Sequence, residues 1–295
     1  MQTPFHTTPA GLPAIAIPQL RETIQGAVIA PDDDEYDAAR TLRFAGFDRH
    51  PGAVVRAADA RDVARTVTFA RDQGIPLAVR GGGHSGAGHG TVDRGIVLDL
   101  SPMKTLDIDV ANRVAWAEAG LTAGEVTDQA GALGLAVPFG DTGSVGIGGI
   151  TLAGGLGFLV RQHGLTIDSL LAAEIVTADG ELHRVDAETE PDLFWAIRGG
   201  GGNFGVVTRF RYRLHPVETV TGGMLILPAT PETVTGFIEA AREAPEALSA
   251  IANVMPAPPM PFIPAHRHGE PIIFAMLVHA SGGEAGERAM APFRA

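Results

Sequence analysis

Two glycine-dense stretches hold the residues with the clearest chemical potential. The first, RGGGHSGAGHG at 80–90, sets His84 and Ser85 among backbone that can approach a ligand closely. The second, PFGDTGSVGIGGITLAGGLGFLVRQHG at 138–164, is too rich in glycine for one long helix and too apolar for a solvated linker, so it is expected to lie buried against a ligand. Twenty of the 38 glycines fall between Gly81 and Gly164, which confines the ligand-approaching backbone to one part of the chain. Gly81, Gly83 and Gly86 satisfy the Gly-x-Gly-x-x-Gly spacing of a dinucleotide fingerprint, but Gly200, Gly202 and Gly205 satisfy it too. That fingerprint needs a helix directly after the loop. Here Gly88, Gly90 and Gly95 follow and a strand begins, which favours a loop whose successive N–H groups cradle a phosphate with no helix behind them.

His84 would lie beside whatever this loop cradles. His89, His163 and His183 read as structural or solvated, and without an HExxH or paired-carboxylate spacing no metal site is expected. No Gly-x-Ser-x-Gly elbow supports a serine hydrolase. The lack of any cysteine in 295 residues excludes disulfides, thiolate zinc sites, iron–sulfur clusters and cysteine nucleophiles. Twenty-two basic against 34 acidic side chains leave a net charge of −12, which argues against nucleic acid or an anionic membrane as partner. An anionic ligand must therefore find local donors.

The elements that position these loops follow from periodicity. The 45% hydrophobic composition can fill a sizeable core, and the length suits one large domain or two moderate ones. The N-terminus lacks a basic n-region and is broken by Pro13 and Pro18, and no segment approaches ~18 uninterrupted apolar residues, so a soluble, cytoplasmic protein is expected. Leu20 to Val28 suits an amphipathic helix. Strands are expected at 53–57, 76–79 and 95–100, with a helix capped by Asp59 and striped by Val63, Val67 and Ala70. Hairpins are expected around Ala111-Asn112-Arg113 and Ala178-Asp179-Gly180, and Thr122 with Glu125 forms a capping box. Residues 191–198 suit a short helix. Val206, Thr208, Phe210, Tyr212 and Leu214 alternate with Val207, Arg209, Arg211 and Arg213, the pattern of a half-buried strand. After His215-Pro216 come three strands, one helix at 231–242 and the beginning of another. The run from Ile272 to Val278 is so nearly apolar that a strand covered on both faces is expected.

RGGGHS at 80–85, GIVLDLSPM at 95–103, TGSVGIGGITLAGGLG at 142–157 and GGGGNFGVVTRFRYRLHPV at 199–217 together resemble the flavin-linked oxidases of the berberine bridge enzyme type, with an FAD-binding domain of the PCMH or vanillyl-alcohol oxidase type. The likeness is strong over about 45–217 and looser beyond. It implies an α+β fold: a lead-in at 1–45, a two-subdomain PCMH-type FAD-binding domain at 46–216, and an antiparallel-sheet substrate domain at 217–295. That last domain is expected to be incomplete, the chain truncated at its C-terminus, and the exposed sheet prone to self-association.

The resemblance further implies that His84 matches the histidine bonded to the flavin 8α carbon. Gly81, Gly82, Gly83, Ser85 and Gly88 match the loop around the FAD pyrophosphate. Thr142, Gly143, Ser144, Val145, Gly146 and Gly149 match the second flavin-lining segment, and Gly205 and Val207 a late segment closing over the cofactor. Thr142 stands where doubly attached relatives have cysteine, so any covalent link runs through His84 alone. Ile150 replaces a histidine of many members, and the family's catalytic tyrosine or acid has no counterpart, so no catalytic base is assigned. The expected activity is hydride transfer from an alcohol, sugar or similar C–H donor to covalently bound FAD, with molecular oxygen as acceptor giving hydrogen peroxide. The rivals are a dehydrogenase or reductase with another electron partner, and an FAD-binding remnant of weak activity.

Overall fold

A strand buried at every position frames the first glycine loop. The computed structural model describes residues 13–43, 46–217 and 219–294; of the N-terminal stretch read as lacking a secretory signal, residues 1–12 lie outside it. β4 (Ile96–Asp99) pairs in parallel with β2 (Ala53–Arg56) and β3 (Leu77–Arg80), and β1 (Ala27–Ile29) closes the sheet antiparallel to β2 in the order β1-β2-β4-β3. On one face Val54 and Val97 pack with Tyr36 and Ala39 of α2 (Tyr36–Arg40). On the other, Val55, Ile96 and Leu98 join Val63, Val67 and Ala70 of α3 (Ala60–Asp72) in the main core. Burial on both faces explains why IVLD can be almost wholly apolar. Asp59 caps α3 by accepting from the N–H groups of Arg61 and Asp62, and Gly74 ends it at φ +63°.

The helix expected over Leu20 to Val28 is two elements, α1 (Ile17–Thr23) and β1. The buried Asp62 carboxylate accepts from Gln25 N and Gly26 N, both at 2.8 Å, and so draws the chain out of the helix. Ala27 to Ile29 then pairs with Val54 to Arg56. A long-range hydrogen-bond partner overrides the local periodicity.

The second sheet is antiparallel, in the order β5 (Leu106–Asp109), β6 (Val114–Glu118), β10 (Val206–Arg213), β8 (Leu170–Val176) and β9 (Leu182–Asp186). Both expected hairpins form. Thr208, Phe210 and Tyr212 of β10 point inward while Arg209 and Arg211 are half-buried outside, as the alternation requires; Val207, in the outward series, is nevertheless buried. α4 (Ala123–Gly131) carries the expected capping box. The second glycine stretch is broken into α5 (Ile147–Leu152) and α6 (Val160–His163), and α7 (Pro191–Gly200) loses helical geometry at Arg198 and Gly199. β7 (Leu135–Ala136) pairs with β11 (His215–Pro216), the exit toward the last sheet.

That sheet is β12 (Thr221–Pro228), β14 (Pro271–His279) and β13 (Leu248–Pro256), with β14 central. Ile273, Ala275 and Leu277 are buried beneath α8 (Pro231–Glu243), α9 (Glu284–Met290) and Phe293. The opposite face is covered only in part. Ile272 is buried with Ala257 and Ile263, whereas Phe274, Met276 and Val278 are half-buried, and Met224, opposite Met276, is exposed. The expected two-sided burial of this strand is thus met on one face, because α8 and α9 both lie on that side. Among the described residues no helix is long and apolar enough to cross a membrane.

Candidate functional site

The two glycine stretches meet backbone to backbone. A Cβ on Gly82 would stand 2.3 Å from Gly146 N, and one on Gly146 would stand 2.2 Å from Gly82 N, so only glycine at both positions permits the approach. The second stretch is pinned to the start of α4: Ala123 N donates to Val145 O, Gly124 N to Gly143 O, and Ile147 N to Leu121 O, at 2.8, 2.8 and 3.0 Å. The Thr122–Glu125 capping box thus anchors the segment that faces the first loop. Thr142 closes the turn, its carbonyl accepting from Val145 N and its hydroxyl donating to Asp141.

His84 comes to 3.1 Å from Ser144, Nε2 to Oγ, which joins the first glycine stretch to the second. Burial, and then the nearby Arg43 guanidinium, holds its pKa below the ordinary histidine value, so the ring is neutral at pH 7. Ser85 accepts from Gly88 N on its carbonyl and from His89 N on its hydroxyl, tightening the loop behind the histidine. Gly83 and Gly88 adopt φ of +69° and +73°, and a side chain on Gly88 would strike the Phe47 ring. Gly81 faces Ala119 O, and open space adjoins Gly149. Gly205 and Val207 are placed differently: a Cβ on Gly205 would meet Val176 O at 2.4 Å, and Val207 pairs with Ile175, so both are held against β8.

The structure also supplies cationic side chains that the glycine pattern does not announce. Arg80, at the end of β3, is 7% exposed and donates through Nη2 to Asp99 at 2.9 Å and to Ala39 O at 2.6 Å, while its buried Nη1 has no partner among the described residues. A cavity of about 210 Å³ opens beside it, lined by Arg43, Arg56, Arg80, Ser101 and the backbone of Gly81 to Gly83. Three guanidiniums against the buried Asp99 make this a locally positive place in an acidic chain. The available signal was Arg80 itself, which stands at the end of a strand and directly before three glycines; Arg43, Arg56 and Ser101 have no such marker.

A phosphate-bearing cofactor fits these residues. Gly81, Gly82 and Gly83 line the cavity with backbone that can donate to an anion, and the Arg80 side supplies the positive charge that backbone donors alone lack. Among the described residues no group of three or more His, Asp or Glu side chains could hold a metal ion.

Residues 51–186 match a family model described as an FAD binding domain. The chain is 34% identical to (R)-6-hydroxynicotine oxidase of Paenarthrobacter nicotinovorans over 277 residues, covering 92% of this chain and 58% of that protein. It superposes on the crystal structure of 6-hydroxy-D-nicotine oxidase from Arthrobacter nicotinovorans with a TM-score of 0.84 at 34% identity, over 92% of this chain and 59% of that one. The BBE-like 1 protein of Physcomitrella patens gives 0.83 at 25% identity, over 95% and 59%. The chain therefore spans somewhat over half the length of the relatives it matches.

Proposed function

Since the chain belongs to the PCMH-type FAD-linked oxidases that include the berberine bridge enzyme-like proteins, we propose that it holds FAD across the two glycine stretches and serves hydride removal from a small molecule at a carbon bearing oxygen or nitrogen. The carrying observation is the backbone contact of Gly82 with Gly146, with His84 and Ser144 beside it. When bound, FAD supplies the two-electron acceptor and, with oxygen as second substrate, yields hydrogen peroxide.

In this reading Gly81, Gly82, Gly83, Ser85 and Gly88 present backbone donors to the pyrophosphate, and Arg80 with Arg43 and Arg56 offsets its charge. Thr142, Gly143, Ser144, Val145, Gly146 and Gly149 line the flavin, and Gly205 and Val207, held against β8, belong to a late segment that closes over the cofactor. The neutral His84 imidazole, steadied by Ser144, carries the single covalent bond to the flavin 8α carbon. Val145, half-buried and β-branched, is compatible with oxygen reaching the reduced flavin.

Purified protein is expected to be yellow and to retain flavin after acid denaturation, with the flavopeptide containing His84. His84→Ala should still take up FAD yet release it on denaturation. Protein that binds no FAD on reconstitution overturns the cofactor assignment; attachment that survives in His84→Ala overturns the link alone. Reduced protein mixed with aerated buffer should reoxidise quickly, and slow reoxidation would favour a dehydrogenase or reductase with another electron partner.

The last sheet has a second expected behaviour. β12 and β13 are edge strands, and Met224, which lies opposite Met276, is exposed on the open face, so the chain is expected to self-associate there. Sedimentation velocity should show dimers or larger species that Met224→Lys converts to monomer; a monomer at all concentrations refutes it.

A further inference from the structure

His163 and His215 come from different parts of the chain and stack face to face, their ring centroids 4.1 Å apart and their planes 20° from parallel. They stand at the joint between the glycine-loop region and the last sheet. His163 ends α6, a four-residue helix whose Arg161 donates to Leu248 O of β13 at 2.8 Å and to Ala241 O and Ala244 O at the end of α8. His215 begins β11, which is paired to β7 and leads directly into β12. The stack therefore sits where the last sheet is both tethered and docked.

We propose that the His163–His215 stack is an acid-sensitive latch that keeps the last sheet docked on the glycine-loop region. The inference is independent of the cofactor reading. Two neutral imidazoles stack favourably, whereas a proton on either ring places a charge in a half-buried site, and a proton on both places two like charges a ring's thickness apart.

The surroundings offer little to neutralise such a charge. From α6, the Arg161 guanidinium is turned to the carbonyls of α8 and β13. From the turn Thr166–Ser169, Ser169 Oγ lies 3.0 Å from His215 Nε2, and the Asp168 carboxylate already accepts from Leu165 N and faces Arg198 at 3.7 Å. From β10, Arg213 adds a further positive charge. β7 brings only Leu135 and Ala136, and β13 brings Ser249, whose hydroxyl is buried without a partner among the described residues. His163 Nε2 is likewise buried and unpartnered there.

The sign follows from the direction of the shifts. Burial first, then the neighbouring His163 and Arg213, push the pKa of His215 down to about 4 from 6.5, and burial lowers that of His163. Between those values the latched protein binds fewer protons than one whose rings face water. The latched state is thus at full strength above pH 6.5 and weakens as pH falls toward 4.

The chain has no cysteine, so a pair of introduced cysteines can be labelled without interference. Spin labels at Asp128→Cys on α4 and Glu239→Cys on α8, both exposed positions, report the separation of the two regions in the full chain. The expected result is one narrow distance distribution at pH 7.5 that broadens to longer distances with a midpoint between pH 6.5 and 4 and reverses on neutralisation. His163→Phe keeps a flat ring and gives up no hydrogen bond among the described residues, so it should hold the narrow distribution to a midpoint at least one pH unit lower. His163→Gln, without a ring, should give the broad distribution even at pH 7.5. A distribution unchanged from pH 7.5 to 4 overturns the latch, as does an opening with the same midpoint in His163→Phe. Should neither variant fold, the labelled parent chain alone decides through the presence or absence of opening in that window.

Discussion

Gly82→Ala is expected to weaken FAD uptake by on the order of 10²-fold and to destabilise the chain by about 2–3 kcal/mol, the upper range for forcing an atom into a packed site. The added methyl would sit 2.3 Å from Gly146 N and 2.9 Å from its Cα, so backbone rather than a flexible side chain must move. Because the second stretch is also tied to α4 through Val145 O and Gly143 O, it cannot retreat without breaking those bonds. The first loop must move instead, carrying His84 away from Ser144. Gly86→Ala in the same loop is the control. Its Cβ meets nothing within 4 Å, and the fold should change in stability by less than ~0.5 kcal/mol. Thermal unfolding with and without FAD, together with FAD titration of flavin-free protein, reads both quantities. Equal behaviour of the two variants would show that the loops are not held by backbone approach.

Asp62→Ala should cost about 3–5 kcal/mol, a large share of the ~5–15 kcal/mol that holds a typical domain together. The Asp62 side chain is fully buried and accepts from Gln25 N, Gly26 N and Ala58 N at 2.8, 2.8 and 3.0 Å. Truncation leaves three backbone donors without an acceptor where water has poor access. Asp62→Asn retains one carbonyl oxygen and is expected to lose roughly half as much. The damage should begin at the edge of the first sheet. Amide exchange at residues 25–29 should speed up before that of β4, since β1 is held by β2 on one side only. Denaturant unfolding and site-resolved exchange test the two halves of this expectation; uniform protection along β1 and β4 would contradict the proposed anchoring.

Much of the local structure was legible because the responsible groups lie within a few residues of one another. Asp59 reaches the N–H groups of Arg61 and Asp62, and Thr122 and Glu125 satisfy each other across one turn. The alternation along β10 was equally local, although burial of Val207 departed from it. Where the reading failed, the deciding partner was distant. Ile24 and Val28 fit an amphipathic helix until Asp62 and β2 are in place. The apolar run of β14 carried no information on which of its faces the helices would cover.

The same division runs through the site. From the amino-acid order alone came the two glycine stretches, His84 within the first, the exclusion of any cysteinyl link by the lack of cysteine, and a strand rather than a helix after the loop. These are properties of residue type and short spacing, set by steric freedom at glycine and by the chemistry a side chain lacks or carries. Only the tertiary structure decided that Gly82 abuts Gly146, that Arg43, Arg56 and Arg80 share one cavity with Asp99, and that His163 stacks on His215. Each of those contacts joins residues far apart in the chain, brought together by sheet pairing and core burial. No local period encodes such a meeting, because its energy comes from the surfaces that the whole fold removes from water.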